Sequence, residues 1–280
     1  MSDTGRMAPI TYDNHGSGEP LVLVHGLATT RVIWRHVLPL LEDGRRLITL
    51  DVPGFGGSPP AGAGFVLEAV AARIAAGLEW AGVEPPYDLV GHSMGGAVAL
   101  TVAARDPAAV RRLVLVAPAG LRPMPAAAAR AFGAFAAAAI PVRRRAAALA
   151  DFAFGRRLLM TPGTANPAAM PPADVRAMLA ASRGATRIAE ALSTVASADV
   201  RPLLAKLPVR IGAVWGTRDR IVPPGGIHTV EKLRPEAPTA TVPDAGHILM
   251  MERPDEFAAA LEDVLDRLSR VGNMRPTATA

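Results

Sequence analysis

Asp88-Leu89-Val90-Gly91-His92-Ser93-Met94-Gly95-Gly96-Ala97-Val98-Ala99-Leu100 sets a serine between a short apolar run and an alanine-rich stretch. Asp88-Leu89-Val90 reads as a buried strand and Ala97 to Ala104 as a helix. Glycine on both sides of Ser93 suits a turn too tight for bulky neighbours, which would clash with the strand and helix it joins. The turn lifts Ser93 above the sheet edge. It also aims the helix N-terminus, and the Met94 amide, at any negative charge forming beside Ser93. The competing reading is a glycine-rich turn with an incidental serine, and the strand–turn–helix setting argues against it.

The same alternation recurs on either side. Leu21-Val22-Leu23-Val24, Leu47-Ile48-Thr49-Leu50 and Leu113-Val114-Leu115-Val116 are short apolar runs ending at turn residues. They read as strands buried on both faces. Val66, Val70, Ile74 and Leu78 recur at helical spacing between the second and third runs. That pattern predicts an α/β fold with a mostly parallel sheet and right-handed crossovers. From Gly120 to about Asp199 no strand signal appears. Strands resume at Val209-Arg210-Ile211-Gly212-Ala213-Val214-Trp215 and, more weakly, from Thr239 to Val242. Pro254 to Leu268 carries the dipole and stripe of a last helix. The expected organisation is a core over residues 1–119 and 201–270, a helical cap over 120–200, and a loose tail over 271–280.

Of the 280 residues, 50% are hydrophobic, enough for a large core. There is no cysteine, which excludes disulfides, thiolate catalysis and cysteine zinc sites. Met1 to Pro9 has no apolar leader core, and no run approaches a membrane span. A cytoplasmic protein without stable membrane association is expected. The net charge of +5 is nearly all arginine; Lys206 and Lys232 are the two lysines. The arginines are dispersed, and no aromatics interleave with the one tight run, Arg143-Arg144-Arg145, so nucleic-acid binding is not expected.

A serine nucleophile needs a base. Among six histidines, His247 alone combines a strand's C-terminal edge with a preceding glycine. The base needs an orienting acid. Asp219 sits in the loop after the strand ending near Trp215, whereas the loop after Val116, Ala117-Pro118-Ala119-Gly120, holds no acid. Asp244 competes by proximity, but three residues within one loop seldom give the required approach. Pairing with Arg218 or Arg220 is the competing role for Asp219. For a second amide facing a developing oxyanion, His25-Gly26-Leu27 follows the first buried strand, with Leu27 N–H in position and His25 structural. Asp51 to Ser58 reads as a scaffold loop beside that turn.

Together these residues resemble the α/β-hydrolase superfamily, in its capped esterase, lactonase and C–C hydrolase branch. The resemblance rests on HGL at 25–27, DVPGFGGS at 51–58, GHSMGG at 91–96, GTRDRIVPP at 216–224 and AGHILMMERP at 245–254. It implies Ser93, Asp219 and His247 as a triad, in the chain order this fold uses. Leu27 and Met94 would then be the oxyanion donors, with no metal and no cofactor. Ile248 stands where many C–C hydrolases carry tryptophan, which favours ester, lactone or thioester cleavage over C–C cleavage. A non-catalytic binding protein of this fold is a third reading. Phe132, Phe135, Phe152 and Ile248 are the expected substrate contacts for a small hydrophobic acyl group. Self-association is left open.

Overall fold

Among the described residues, seven strands form one sheet: β1 (Tyr12–Gly16), β2 (Glu19–Val24), β3 (Arg45–Leu50), β4 (Tyr87–His92), β5 (Val110–Val116), β6 (Arg210–Gly216) and β7 (Thr239–Val242). The computed structural model describes residues 8–271. The expected tail beyond Val271 lies outside them, as does most of the stretch from Met1 to Pro9. The sheet order is β1-β3-β2-β4-β5-β6-β7. Only β1 runs antiparallel; it pairs with β3 in the register Tyr12↔Leu50 to Gly16↔Arg46.

The apolar runs are continuous because helices cover both faces. Along β2, Val22 and Val24 join one core cluster while Leu21 and Leu23 join the other, the two-residue period of a strand. After α1 (Leu38–Leu41), α2 (Leu67–Trp80) and α3 (Met94–Arg105) build the first cluster, with Ile74, Leu78, Val98 and Leu100 fully or nearly buried. Among the described residues, five further α-helices follow β5 before β6: α4 (Ala126–Arg145), α5 (Ala153–Met160), α6 (Pro172–Ala181), α7 (Ile188–Ser197) and α8 (Arg201–Lys206). After β6 come α9 (Gly226–Leu233), α10 (Leu249–Glu252) and α11 (Pro254–Val271). The last helix closes the second cluster through Phe257, Leu261, Val264 and Leu265. None of the described helices is long and apolar enough to cross a membrane.

β1 was not anticipated from the sequence, where His15 reads as part of a polar turn. Tyr-Asp-Asn-His-Gly lies at the sheet edge with three of its five residues exposed, so burial imposes no apolar signature on it. α4 also runs through Pro141.

This topology places the elements that matter. From β2 the chain steps outward to β3, then returns across β2 to β4 and proceeds to β5, β6 and β7 on the other side. The turns after β2 and β4 are therefore neighbours at the switch point, where open α/β sheets bind ligands. The loops after β6 and β7 leave the same edge.

Candidate active site

Ser93 joins β4 to α3 at φ 54°, ψ −118°, a left-handed conformation costly for a residue with a side chain. The turn is held from three sides. Ser93 N–H donates to the Val116 carbonyl at 2.9 Å, and its carbonyl accepts from Gly96 N–H (2.9 Å) and Ala119 N–H (3.0 Å). The glycines are required by close approach. A Cβ on Gly91 would lie 2.3 Å from the Gly95 carbonyl oxygen, and one on Gly95 2.4 Å from that of Val24. A Cβ on Gly96 would lie 2.6 Å from that of Pro118.

The loops after β6 and β7 meet through side chains. His247 Nδ1 lies 2.7 Å from Asp219 Oδ2, both residues buried. Asp219 Oδ1 accepts from Ile221 N–H (2.8 Å) and Val222 N–H (2.9 Å), so the carboxylate is fixed before it meets the imidazole. With Nδ1–H donating, the neutral ring keeps its lone pair on Nε2. Asp244 points elsewhere: its exposed carboxylate pairs with Arg218 at 2.6 Å. That contact also removes Arg218 as a partner for Asp219.

The turn after β2 packs directly on the elbow, since a Cβ on Gly26 would lie 3.2 Å from that of Ser93. Among the described residues, neither Leu27 N–H nor Met94 N–H donates a hydrogen bond within the protein. His25 holds the turn in place. Its Nδ1–H donates to the Gly26 carbonyl (2.7 Å) and its Nε2 accepts from Val52 N–H (2.9 Å). Burial pulls its pKa down to about 4, so it stays neutral in this role. Asp51, fully buried, accepts from Arg31 N–H and Gly57 N–H and shapes the neighbouring loop. Nothing here gathers metal ligands: the described residues hold no cluster of three or more His, Asp or Glu side chains able to bind an ion.

The family model for the alpha/beta hydrolase fold matches residues 19–254. The chain belongs to the α/β-hydrolase family. Over 251 residues (85% of this chain, 61% of the relative) it is 34% identical to the dihydrolipoyllysine-residue acetyltransferase component of the acetoin cleaving system of Pseudomonas putida. It thus spans less than two thirds of that relative. It is 29% identical to lipase 1 of Psychrobacter immobilis, over 89% of this chain and 78% of the lipase. A thermophilic esterase from Thermogutta terrifontis superposes with a TM-score of 0.72 at 26% identity, covering 92% of this chain and 93% of the esterase.

Of the four expected substrate contacts, three stand at the surface and one is buried beside His247. Phe132, Phe135 and Phe152 are 48, 70 and 58% exposed. The reason is helix packing. α4 turns its small residues, Ala129 and Gly133, inward against α7, and a Cβ on Gly133 would lie 2.4 Å from the Ala189 carbonyl oxygen. Such close approach leaves the phenylalanines on other faces of α4, while Phe152 stacks on Phe154 at 5.9 Å. Ile248 is buried, and its N–H donates to Gly163 at 3.2 Å. It seals a contact with the segment after α5.

Three contributions to this site were missed by sequence reasoning. His92 Nε2–H donates to the His247 carbonyl at 2.9 Å, with the two rings 4.7 Å apart. Burial, reinforced by His247, holds its pKa well below the usual imidazole range. Gly163 accepts from His247 N–H at 3.0 Å. Glu252 accepts from Gly246 N–H at 3.0 Å. The motifs GHSMGG and AGHILMMERP contain His92 and Glu252, but neither says what those side chains hold.

Proposed function

We propose that this chain is a serine hydrolase cleaving a small hydrophobic carboxylic ester, lactone or thioester through an acyl-enzyme, with helices α4–α7 as its cap. The observation that carries the reading is the buried 2.7 Å contact between His247 Nδ1 and Asp219 Oδ2 at the sheet edge where the strained Ser93 turn stands. Asp219 fixes the tautomer that leaves Nε2 basic. His247 Nε2 takes the Ser93 proton as Oγ bonds to the substrate carbonyl carbon. The negative oxygen falls to Leu27 N–H and Met94 N–H, donors with no partner to give up. The tetrahedral adduct collapses, the bond to the leaving oxygen or sulfur breaks, and that atom takes the proton from His247. Water then attacks the acyl carbon, gives its proton to His247, and the acid departs as the proton returns to Ser93. Leu27, Ala28, Met94 and Ala119, which belong to or pack on the first core cluster, make the surroundings apolar.

The test is hydrolysis of p-nitrophenyl acetate, butyrate and octanoate by the parent and by Ser93→Ala. The parent turns over at least one ester, and the variant loses roughly 10⁴-fold or more in kcat while keeping its circular dichroism. A folded Ser93→Ala variant with undiminished turnover overturns the proposal.

A further inference from the structure

Glu252 ends α10 and is an acid of the AGHILMMERP motif that the reaction above does not use. Its two oxygens face different parts of the molecule. Oε1 accepts from Gly246 N–H at 3.0 Å, on the turn that carries His247. Oε2 accepts from Ala165 N–H at 2.8 Å, on the strap that follows α5 in the helical insertion. The strap returns the contact, because the Gly163 carbonyl accepts from both His247 N–H (3.0 Å) and Ile248 N–H (3.2 Å). The fit is close: a Cβ on Gly246 would lie 2.6 Å from Ala165 N and 2.8 Å from Glu252 Oε1.

The carboxylate does this without a cation. Among the described residues Glu252 has no ion-pair partner, and neighbouring Arg253 reaches Glu256 instead, at 3.3 Å. Burial raises its pKa, the amides of Ala165, Gly246 and Asn166 oppose the rise, and the negative charge of Asp219 adds to it. A desolvated carboxylate held by backbone amides alone is costly, and an ordinary structural contact could be made by a neutral side chain. The charge-assisted bonds are strong and directional, and they join the two segments whose relative position sets where His247 stands.

We propose that Glu252 is a positioning residue: its carboxylate clasps the strap Gly163–Asn166 to the Gly246–His247 turn, so the base keeps its place only while the helical insertion is seated. This rests on the reading of His247 as the base. The clasp couples the cap to the chemistry, since a substrate that displaces the strap also displaces the imidazole.

The experiment compares the parent with Glu252→Gln, which is nearly isosteric, with Glu252→Ala, and with Glu256→Gln as a surface control. Hydrogen exchange is followed on peptides spanning residues 161–168 and 244–250, and kcat and KM are measured per site titrated with a fluorophosphonate. The expected result is exchange faster by about tenfold or more in both peptides for Glu252→Ala. Per-site kcat then falls about 10–100-fold with KM changed far less, as misplacement of a reacting group by ~1 Å does. Glu252→Gln keeps one acceptor oxygen and lies between, and Glu256→Gln matches the parent. Unchanged exchange in the Glu252 variants overturns the clasp. Faster exchange with unchanged per-site kcat reduces Glu252 to a structural contact and equally overturns the proposal. If the parent cleaves no ester, the exchange comparison still decides the clasp, so failure of the hydrolase reading is told apart.

Discussion

Ser93 sits in a conformation that residues with side chains avoid, and the glycines around it show what the strain is for. Gly95 lies where its own Cβ would strike the Val24 and His25 carbonyls at 2.4 and 2.5 Å. Gly95→Ala therefore pushes α3 away from the β2 turn. It is expected to cost ~1–3 kcal/mol in urea unfolding and to lower kcat further by parting Leu27 N–H from Met94 N–H. A variant as stable and active as the parent contradicts this packing. At the acid, Asp219→Asn leaves the imidazole without its orienting charge and is expected to lower kcat roughly 10²–10⁴-fold. Asp244→Asn removes only an exposed pair with Arg218, of the kind worth ~0–1 kcal/mol, and leaves kcat near the parent. Reversal of that order means the wrong acid has been assigned. Ser93, Asp219 and His247 could be singled out in the sequence because local pattern reports them: glycines mark the tight turn around Ser93, and Asp219 and His247 each follow a strand. His92, Gly163 and Glu252 were not, because their roles are contacts between segments distant in the chain.

At the scale of elements, burial on both faces made β2 to β6 readable, and the Thr239–Val242 strand was located with its observed ends. Where burial was incomplete the reading failed: β1 at the edge carries no apolar run. In the insertion the helical character was legible, but the inward faces were not. Alanine is so abundant there that the packing face of α4 is marked by Gly133 and Ala129, not by its aromatics. Phe132 and Phe135, two of the expected contacts, lie off that face. With Phe135 70% exposed, Phe135→Ser is expected to shift stability by no more than about 0.5 kcal/mol and kcat/KM by less than about twofold. Gly133→Val, forced against the Ala189 carbonyl, should loosen α4 from α7 and lower Tm. If Phe135→Ser instead lowers kcat/KM for octanoate alone by tenfold, the phenylalanine face does meet the substrate.

Across the whole molecule, histidines buried neutral make stability pH-dependent. His25 is shifted from 6.5 to about 4, mainly by burial, with the Gly26 carbonyl and Asp51 opposing. As pH falls, the unfolded chain takes up this proton near 6.5 and the folded chain only near 4. Native stability therefore drops across that window, by about 3 kcal/mol from His25 alone, and His92 adds to the drop. Urea unfolding should show it, with a flatter curve for His25→Asn, and a parent curve flat over the window contradicts it. The same fold brings five separated segments into contact: residues 25–27, 91–96, 161–166, 217–222 and 245–252. On the proposed mechanism this arrangement activates Ser93 and no other serine. Intact-mass analysis after reaction with a fluorophosphonate, followed by peptide mapping, reads this directly. One adduct per chain is expected, located on Ser93, absent from Ser93→Ala and strongly slowed in His247→Ala. No adduct, or an adduct on another residue that persists in Ser93→Ala, would contradict it.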